Sequence, residues 1–368
     1  MKERVVFRAD ASALIGSGHI VRCLALAHEL GKAGWRIIFV AREMPPALRE
    51  LVRKAGHVLR LLPPHPEEAA RSDDGPGTCA HWLRVPWQVD AEQTAALVHT
   101  LGGADWLVVD HYAIDARWEK MLRPQARRIL VLDDLADRPH DCDMLVDELV
   151  IRRPREYAGL VPETCQVLTG AEHALLRPEF RRLRPSALQR RRECGTLRRV
   201  LVMFGGGTER SFLLRTLEIV TSILPDNVEM DVALGAMRLT EEDLAKIGRI
   251  LSGRGSVHDF SANMARLMHD ADMAIGASGM GAYERCCMGL PSVQFIQADN
   301  QRGTAEYFQR AGVALTIDAT GPSYFRELRR AVDGLVMEET LRREMARRAA
   351  SLVDGEGARR IRRAMEEA

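Results

Sequence analysis

The chain has 368 residues, of which 46% are hydrophobic and 28% charged, with a formal net charge of +1. That length predicts two domains rather than one, and near-neutrality leaves no global field to draw in nucleic acid or a membrane surface. The seven cysteines (23, 79, 142, 165, 194, 286 and 287) form no C-x-x-C pair, which argues against both a disulfide framework and a structural zinc site.

No run approaches the ~20 apolar residues of a membrane span, and the N-terminus enters a strand with no secretory leader. A cytoplasmic protein with no membrane or nucleic-acid partner is the expectation. Short apolar runs then alternate with helix-period segments. Val5–Arg8 reads as a strand, Ile20–Lys32 as a helix, Arg36–Ala41 as a strand, Pro46–Ala55 as a helix and His57–Leu62 as a strand. A loop rich in proline, aspartate and glycine follows at 63–77. Helix Ala91–Leu101, strand Trp106–Asp110, helix Asp115–Arg123 and strand Arg128–Asp133 resume the pattern. Strands this apolar show no wet face, so they predict a parallel sheet covered by helices on both sides.

Residues 175–199 break the rhythm with nine arginines and two prolines. They lack the interleaved aromatics that stack bases, so a solvated connector is the expectation. Beyond it come strand Val200–Phe204, helix Glu209–Leu224, strand Glu229–Leu234, helix Leu239–Leu251, strand Val257–Phe260 and helix Met264–His269. Strand Met273–Ala277, a helix from near Gly281, strand Pro291–Ile296, helix Arg302–Ala311 and strand Ala314–Asp318 follow, then helices to Ala368. The expected organisation is an N-terminal α/β domain over 1–180, a basic linker over 181–199 and a second α/β domain over 200–350. A last helix over 351–368 is placed so that it can return to the first domain. The predicted fold is two doubly wound, Rossmann-like parallel sheets facing a cleft.

Three turns carry chemistry. The first, Gly16-Ser17-Gly18-His19, links a strand to a helix. Glycine admits a close ligand, helix-start amides favour anions, and a histidine there handles protons near neutral pH. A dinucleotide fingerprint would have glycine at Val21 and an acid at the end of the second strand, where Ala41-Arg42 stands. Neither NAD nor any other cofactor is expected. The second turn, Gly205-Gly206-Gly207-Thr208, offers amides to a phosphate or is simply a tight strand-to-helix turn. The third, Ser278-Gly279-Met280-Gly281, opens the helix that carries Glu284, one turn further in and within reach of a ribose beside a diphosphate. Asp299-Asn300-Gln301 ends the next strand, where open α/β sheets place ligands, although either acid or amide also suits a helix cap. Aspartates at 133, 134, 137, 141 and 143 read as hydrated loop carboxylates, and no metal is assigned.

These blocks occur in a recognisable order: Arg8-Ala9-Asp10-Ala11-Ser12, Ile15–His19 and Arg22–Ala27, then Asp110-His111-Tyr112, Leu132–Arg138, His140–Asp143 and Leu175–Phe180, and finally Ser278-Gly279, Glu284-Arg285-Cys286, Gly289-Leu290-Pro291 and Asn300-Gln301. In this the chain resembles the UDP-sugar hydrolases of the pseudaminic acid pathway, which cleave UDP-2,4-diacetamido-2,4,6-trideoxy-β-L-altropyranose. Its second half is also similar to the donor site of the peptidoglycan lipid II glycosyltransferase. The resemblance implies a GT-B fold and inverting hydrolysis with water as nucleophile and His19 as catalytic base. It also implies Glu284 on the uridine ribose, Ser278 and Gly279 on the diphosphate, Asn300 at the sugar end, and Tyr112 beside the sugar with Asp110 organising the site. Asp10, Gly18 and Gly206 complete the expected substrate-binding set. One departure stands out: Thr208-Glu209 follows the glycine run where the resemblance implies an aspartate. A glycosyltransferase of the same architecture, or a UDP-sugar-binding protein without catalysis, are the competing readings.

Overall fold

The alternation of strands and helices builds two α/β units. The computed structural model describes residues 3–12, 14–64, 79–193, 195–205, 208–235, 237, 239–259, 263–321 and 323–368. One unit comprises Met1–Arg177 with Glu356–Ala368, and the other Pro178–Gly355.

The first unit holds seven strands: β1 (Arg4–Ala9), β2 (Arg36–Ala41), β3 (Val58–Leu61), β4 (Ala104–Asp110), β5 (Ala126–Leu132), β6 (Met144–Asp147) and β7 (Gln166–Thr169). All pair in parallel, in the order β3-β2-β1-β4-β5-β6-β7. Helices α1 (Gly18–Lys32), α2 (Pro46–Lys54), α3 (Trp87–Thr100) and α4 (Ala116–Leu122) belong to the same unit. β1 shows why both faces must be covered. Val5, Phe7 and Ala9 enter one core while Val6 enters the other, as a period of two requires. Helix α1 covers the first core with Ile20, Cys23, Leu24, Ala27 and Leu30, a helical stripe. The chain winds outward from β1 in both directions, so the switch point falls between β1 and β4, where such sheets bind ligands beyond the strand ends.

The second unit repeats the plan with β8 (Arg199–Met203), β9 (Glu229–Ala233), β10 (Val257–His258), β11 (Met273–Ala277), β12 (Ser292–Ile296) and β13 (Leu315–Asp318). These too are parallel, in the order β10-β9-β8-β11-β12-β13, with the switch point between β8 and β11. Its helices are α5 (Pro178–Glu193), α6 (Arg210–Thr221), α7 (Glu241–Leu251), α8 (Met264–Asp270), α9 (Gly281–Cys287), α10 (Arg302–Ala311), α11 (Tyr324–Met337) and α12 (Glu339–Leu352). The last helix, α13 (Gly357–Glu367), belongs to the first unit, whose core takes its Ala358, Ile361 and Met365. Gly357 lets this helix dock closely, because a Cβ there would lie 2.3 Å from the carbonyl oxygen of Ala174.

The expected linker over 181–199 needs correction. Residues 178–193 form α5, and three of its arginines donate to carbonyls and a carboxylate of the second unit. Arg184 donates to the carbonyls of Cys287 and Ala350, Arg190 to Asp272 Oδ1 (2.6 Å), and Arg191 to the carbonyl of Met268 (2.7 Å). A charge run that reads as solvated is therefore in part a helix-docking surface, with Arg182 and Arg192 exposed. Strands β6 and β7 were not expected, and β10 ends at His258, with residue 260 outside the described residues.

Candidate active site

The turn after β1 is built to present the start of α1. Gly16 sits at φ +80°, a conformation other residues resist, and its amide donates to the carbonyl of Ser12 (2.8 Å). The Ser12 hydroxyl accepts from the amides of Leu14 and Ile15. Gly18 then opens the helix with no heavy atom within 4 Å of where a Cβ would stand.

His19 follows in the first turn, only 7% exposed but among polar groups. Its Nδ1 lies 2.5 Å from Oδ1 of Asp110, the last residue of β4. Arg22, one turn further along α1, grips the same carboxylate with Nε to Oδ2 (2.7 Å) and Nη2 to Oδ1 (2.6 Å). Burial pushes the Asp110 carboxyl up, but Arg22 and then His19 outweigh it and hold the group well below the usual carboxylate range. An ionised Asp110 fixes the proton on Nδ1 and leaves Nε2 as the basic nitrogen of the ring. The remaining Arg22 nitrogen, Nη1, reaches Asp134 (3.2 Å) beyond β5 and Glu148 (3.3 Å) beyond β6. Burial lifts the Glu148 carboxyl above its ordinary range despite Arg22.

Tyr112 places its ring edge-on to His19, with centroids 4.8 Å apart. Burial, then the charge of Asp134, pushes its phenol up, so it stays protonated. Trp82, in a short 3-10 helix over Cys79–Leu83, stacks on Tyr112 at 5.3 Å and faces His19 edge-on at 6.4 Å. Sequence reasoning missed Trp82; its one signal was a pair of tryptophans, Trp82 and Trp87, just beyond the 63–77 loop.

Asp10 lies deeper than its assignment as a ligand-binding residue implies. At 1% exposure it accepts from Arg8 Nη2 (2.9 Å) and from the amides of Arg42 (2.6 Å) and Glu43 (3.2 Å). Arg8 is shared with Asp90, which also accepts from Arg42 and from the Trp118 indole. His111 stands above this network: Ala113 donates to its Nδ1, so its proton is on Nε2, 3.4 Å from Asp10. Asp110 caps no helix, since Asp115 fills that role at α4.

In the second unit β11 runs into the Ser278-Gly279-Met280 turn and then α9. The Ser278 amide donates to the carbonyl of Phe295, while its hydroxyl is buried without a partner among the described residues. A Cβ on Gly279 would meet nothing within 4 Å. Glu284 is half-buried in the first turn of α9. Asn300 is exposed on a 3-10 helix, Asp299–Gln301, beyond β12. Neither Asp299 nor Asn300 caps α10, whose N-cap is Gln301. Gln301 instead accepts from the Gln297 amide, and Gln297 accepts from the Thr208 hydroxyl (2.8 Å). Gly206 lies outside the described residues. Thus His19, Gly18, Tyr112 and Asp110 gather beyond the β1–β4 switch point, while Ser278, Gly279, Glu284 and Asn300 lie beyond the carboxyl ends of β11 and β12. Among the described residues no three His, Cys, Asp or Glu side chains are arranged to hold a metal, and no helix is long and apolar enough to cross a membrane.

Residues 200–361 match the glycosyltransferase family 28 C-terminal domain. The UDP-2,4-diacetamido-2,4,6-trideoxy-β-L-altropyranose hydrolase of Campylobacter jejuni is 23% identical over 313 residues, covering 84% of this chain and 97% of that protein. Among solved structures, MurG of Acinetobacter baumannii superimposes with a TM-score of 0.67 at 13% identity over the full length of both chains. UGT2 of Phytolacca americana, complexed with UDP-2-fluoroglucose and pterostilbene, does so with a TM-score of 0.70 at 11% identity, again over both full lengths. The resemblance read from the ordered motifs is therefore borne out as a similarity: the chain has the GT-B fold, is similar to the pseudaminic-pathway UDP-sugar hydrolase over most of its length, and matches the glycosyltransferase family 28 C-terminal domain over residues 200–361.

Proposed function

We propose that this chain hydrolyses a UDP-activated diacetamido-trideoxy sugar at the anomeric carbon, releasing UDP and the free sugar with inversion, as a cytoplasmic enzyme of nonulosonic acid synthesis. The observation that carries the reading is the His19–Asp110 contact of 2.5 Å, backed by the two-pronged grip of Arg22. An imidazole whose Nδ1–H is held by an ionised carboxylate offers Nε2 to a water proton, and the same carboxylate stabilises the imidazolium that results. The water oxygen bonds to the anomeric carbon as the carbon–oxygen bond to the diphosphate breaks. The electron pair leaves with UDP. Attack opposite the leaving group inverts the centre, as in other direct displacements by water.

UDP is already a good leaving group, so the protein's second task is to meet the charge that grows on the diphosphate. We assign this to the Ser278–Gly279 turn, with Gly206, which lies outside the described residues, as a further phosphate-binding candidate from the sequence. Glu284 takes the ribose and Asn300 the sugar end, while Gly18 and Tyr112 approach the sugar near His19. Asp10 serves by tying the end of β1 to the backbone after β2. The kinship with the Campylobacter jejuni hydrolase supports this substrate class.

The test is release of UDP from such a sugar with no acceptor present, followed by proton NMR of the first-formed anomer. The expected result is turnover with inversion, lowered by ~10²–10⁴-fold in His19→Ala, the range for loss of a general base. The family 28 match favours one other reading, a glycosyltransferase. It would leave the donor largely intact until an acceptor is added, and an intact donor would overturn hydrolysis. Binding without turnover under any acceptor would leave a UDP-sugar-binding protein.

A further inference from the structure

Arg285, on the α9 segment that follows the Ser278–Gly279 turn, is a buried cation with no carboxylate in ion-pair contact among the described residues. It is 1% exposed. Its Nη2 donates to two neutral oxygens, the carbonyl of Ala277 (2.9 Å) and Gln294 Oε1 (3.4 Å). Its Nε and Nη1 are buried with no partner among the described residues, and no carboxylate forms an ion pair with it there. Nη1 underlies the turn itself, 3.0 Å from where a Cβ on Gly276 would stand and 3.6 Å from one on Gly281. The Ser278 hydroxyl, 3% exposed as a residue, is likewise buried without a partner. Burial pushes the Arg285 guanidinium down to about 10, against weak opposing pulls from Cys286 and Glu284. It is still charged at neutral pH.

A buried arginine normally meets a carboxylate, because an isolated charge in a low-dielectric interior is costly. The buried arginines of the first unit obey this rule: Arg8 meets Asp10 and Asp90, and Arg22 meets Asp110. Arg285 does not. Its unpaired donors lie beneath a glycine-opened turn at a switch point of a doubly wound sheet, where an anionic ligand is to be expected.

We propose that Arg285 is the buried counter-charge for the ligand's diphosphate, a positioning residue that holds the Gly276–Gly281 turn charged from below with the Ser278 hydroxyl beside it. The proposal rests on the UDP-sugar reading of that turn. It predicts that the phosphates, not the nucleoside, feel this side chain.

The experiment measures binding of UDP and of uridine to the full-length wild type, Arg285→Met and Arg285→Lys by calorimetry, with the melting temperature of each unliganded protein. Arg285→Met should weaken UDP by about 10–100-fold, as for loss of a charge-assisted contact, and leave uridine affinity unchanged. Arg285→Lys, which keeps the charge, should recover most of the UDP affinity. The unliganded methionine variant should melt no lower than wild type, since an uncompensated charge has been removed. Unchanged UDP binding in Arg285→Met, equal loss of UDP and uridine, or a variant that fails to fold would each overturn the proposal while leaving the substrate reading standing. A wild type that binds no UDP would instead remove the substrate reading, and the proposal with it.

Discussion

Nδ1 of His19 lies 2.5 Å from Oδ1 of Asp110, across 91 residues of sequence. The carboxylate can accept from that nitrogen but cannot donate to it, so it dictates which ring nitrogen is basic. Asp110→Asn keeps the shape and removes the dictation, because the amide can offer N–H to Nδ1 and stabilise the wrong tautomer. Turnover should fall by about 10²–10⁴-fold with little change in KM, since the residues proposed to bind the nucleotide are untouched. Steady-state kinetics check this; a variant with wild-type kcat would remove Asp110 from the mechanism.

Arg22 joins Asp110, Asp134 and Glu148 at the ends of three consecutive strands of the sheet. Replacing it by methionine leaves three acidic side chains gathered without their cation. Removing one partner from a buried ion pair typically costs about 3–5 kcal/mol, and Arg22→Met should lose stability on that scale in urea titration. Arg22→Lys should recover only part, because an ammonium cannot make the two parallel bonds that Nε and Nη2 make to Asp110. Equal stability of wild type and Arg22→Lys would show that charge alone matters there.

The sequence makes one side of this site plain and hides the other. His19 is legible because a strand, a glycine turn and a helix start announce it within a dozen residues. Asp110 is legible as the end of an apolar run. Arg22 appears only within an alanine- and leucine-rich helix, since the partners that define it lie 88, 112 and 126 residues away. The depth of Asp10 depends in the same way on Arg8, Asp90 and the backbone after β2. Strands β6 and β7 are four residues each, too short for a period-two pattern to separate them from loop. The arginines of α5 carry no mark of what they cap, because the carbonyls they reach belong to α8, α9 and α12.

Glu284 sits in the first turn of α9, five residues beyond the open Gly279 position. If its carboxylate receives the ribose hydroxyls, Glu284→Ala should weaken UDP by about 10–100-fold, the scale of a hydrogen bond to a charged group. The same variant should no longer distinguish UDP from its 2′,3′-dideoxy analogue, whereas wild type prefers UDP. Calorimetry with both nucleotides decides it, and a preference that survives in the alanine variant would move the ribose elsewhere.

Asp147 ends β6 with its carboxyl buried, against the Tyr157 hydroxyl (2.8 Å), Arg152 Nε (2.6 Å) and the Leu149 amide (2.9 Å). Burial outweighs the opposing pulls of the Leu149 amide, Tyr157 and Arg152, and the group is pushed up to about 6. Between the ordinary carboxylate value and about 6 the folded chain therefore binds more protons than the unfolded one, and stability falls as pH rises through that window. A shift of this size costs the folded state on the order of 3 kcal/mol once Asp147 is ionised. Asp147→Asn has no charge to bury, so its stability relative to wild type should improve as pH rises from about 4 to about 7. Asp10, Asp90 and Asp110 act with the opposite sign and lower down. Their carboxyls are held below the usual range in the fold, so their contribution is present above that range and lost as pH falls beneath it. Urea unfolding of both proteins across the window separates the two effects: a difference between them that stays flat with pH would mean that Asp147 does not titrate there.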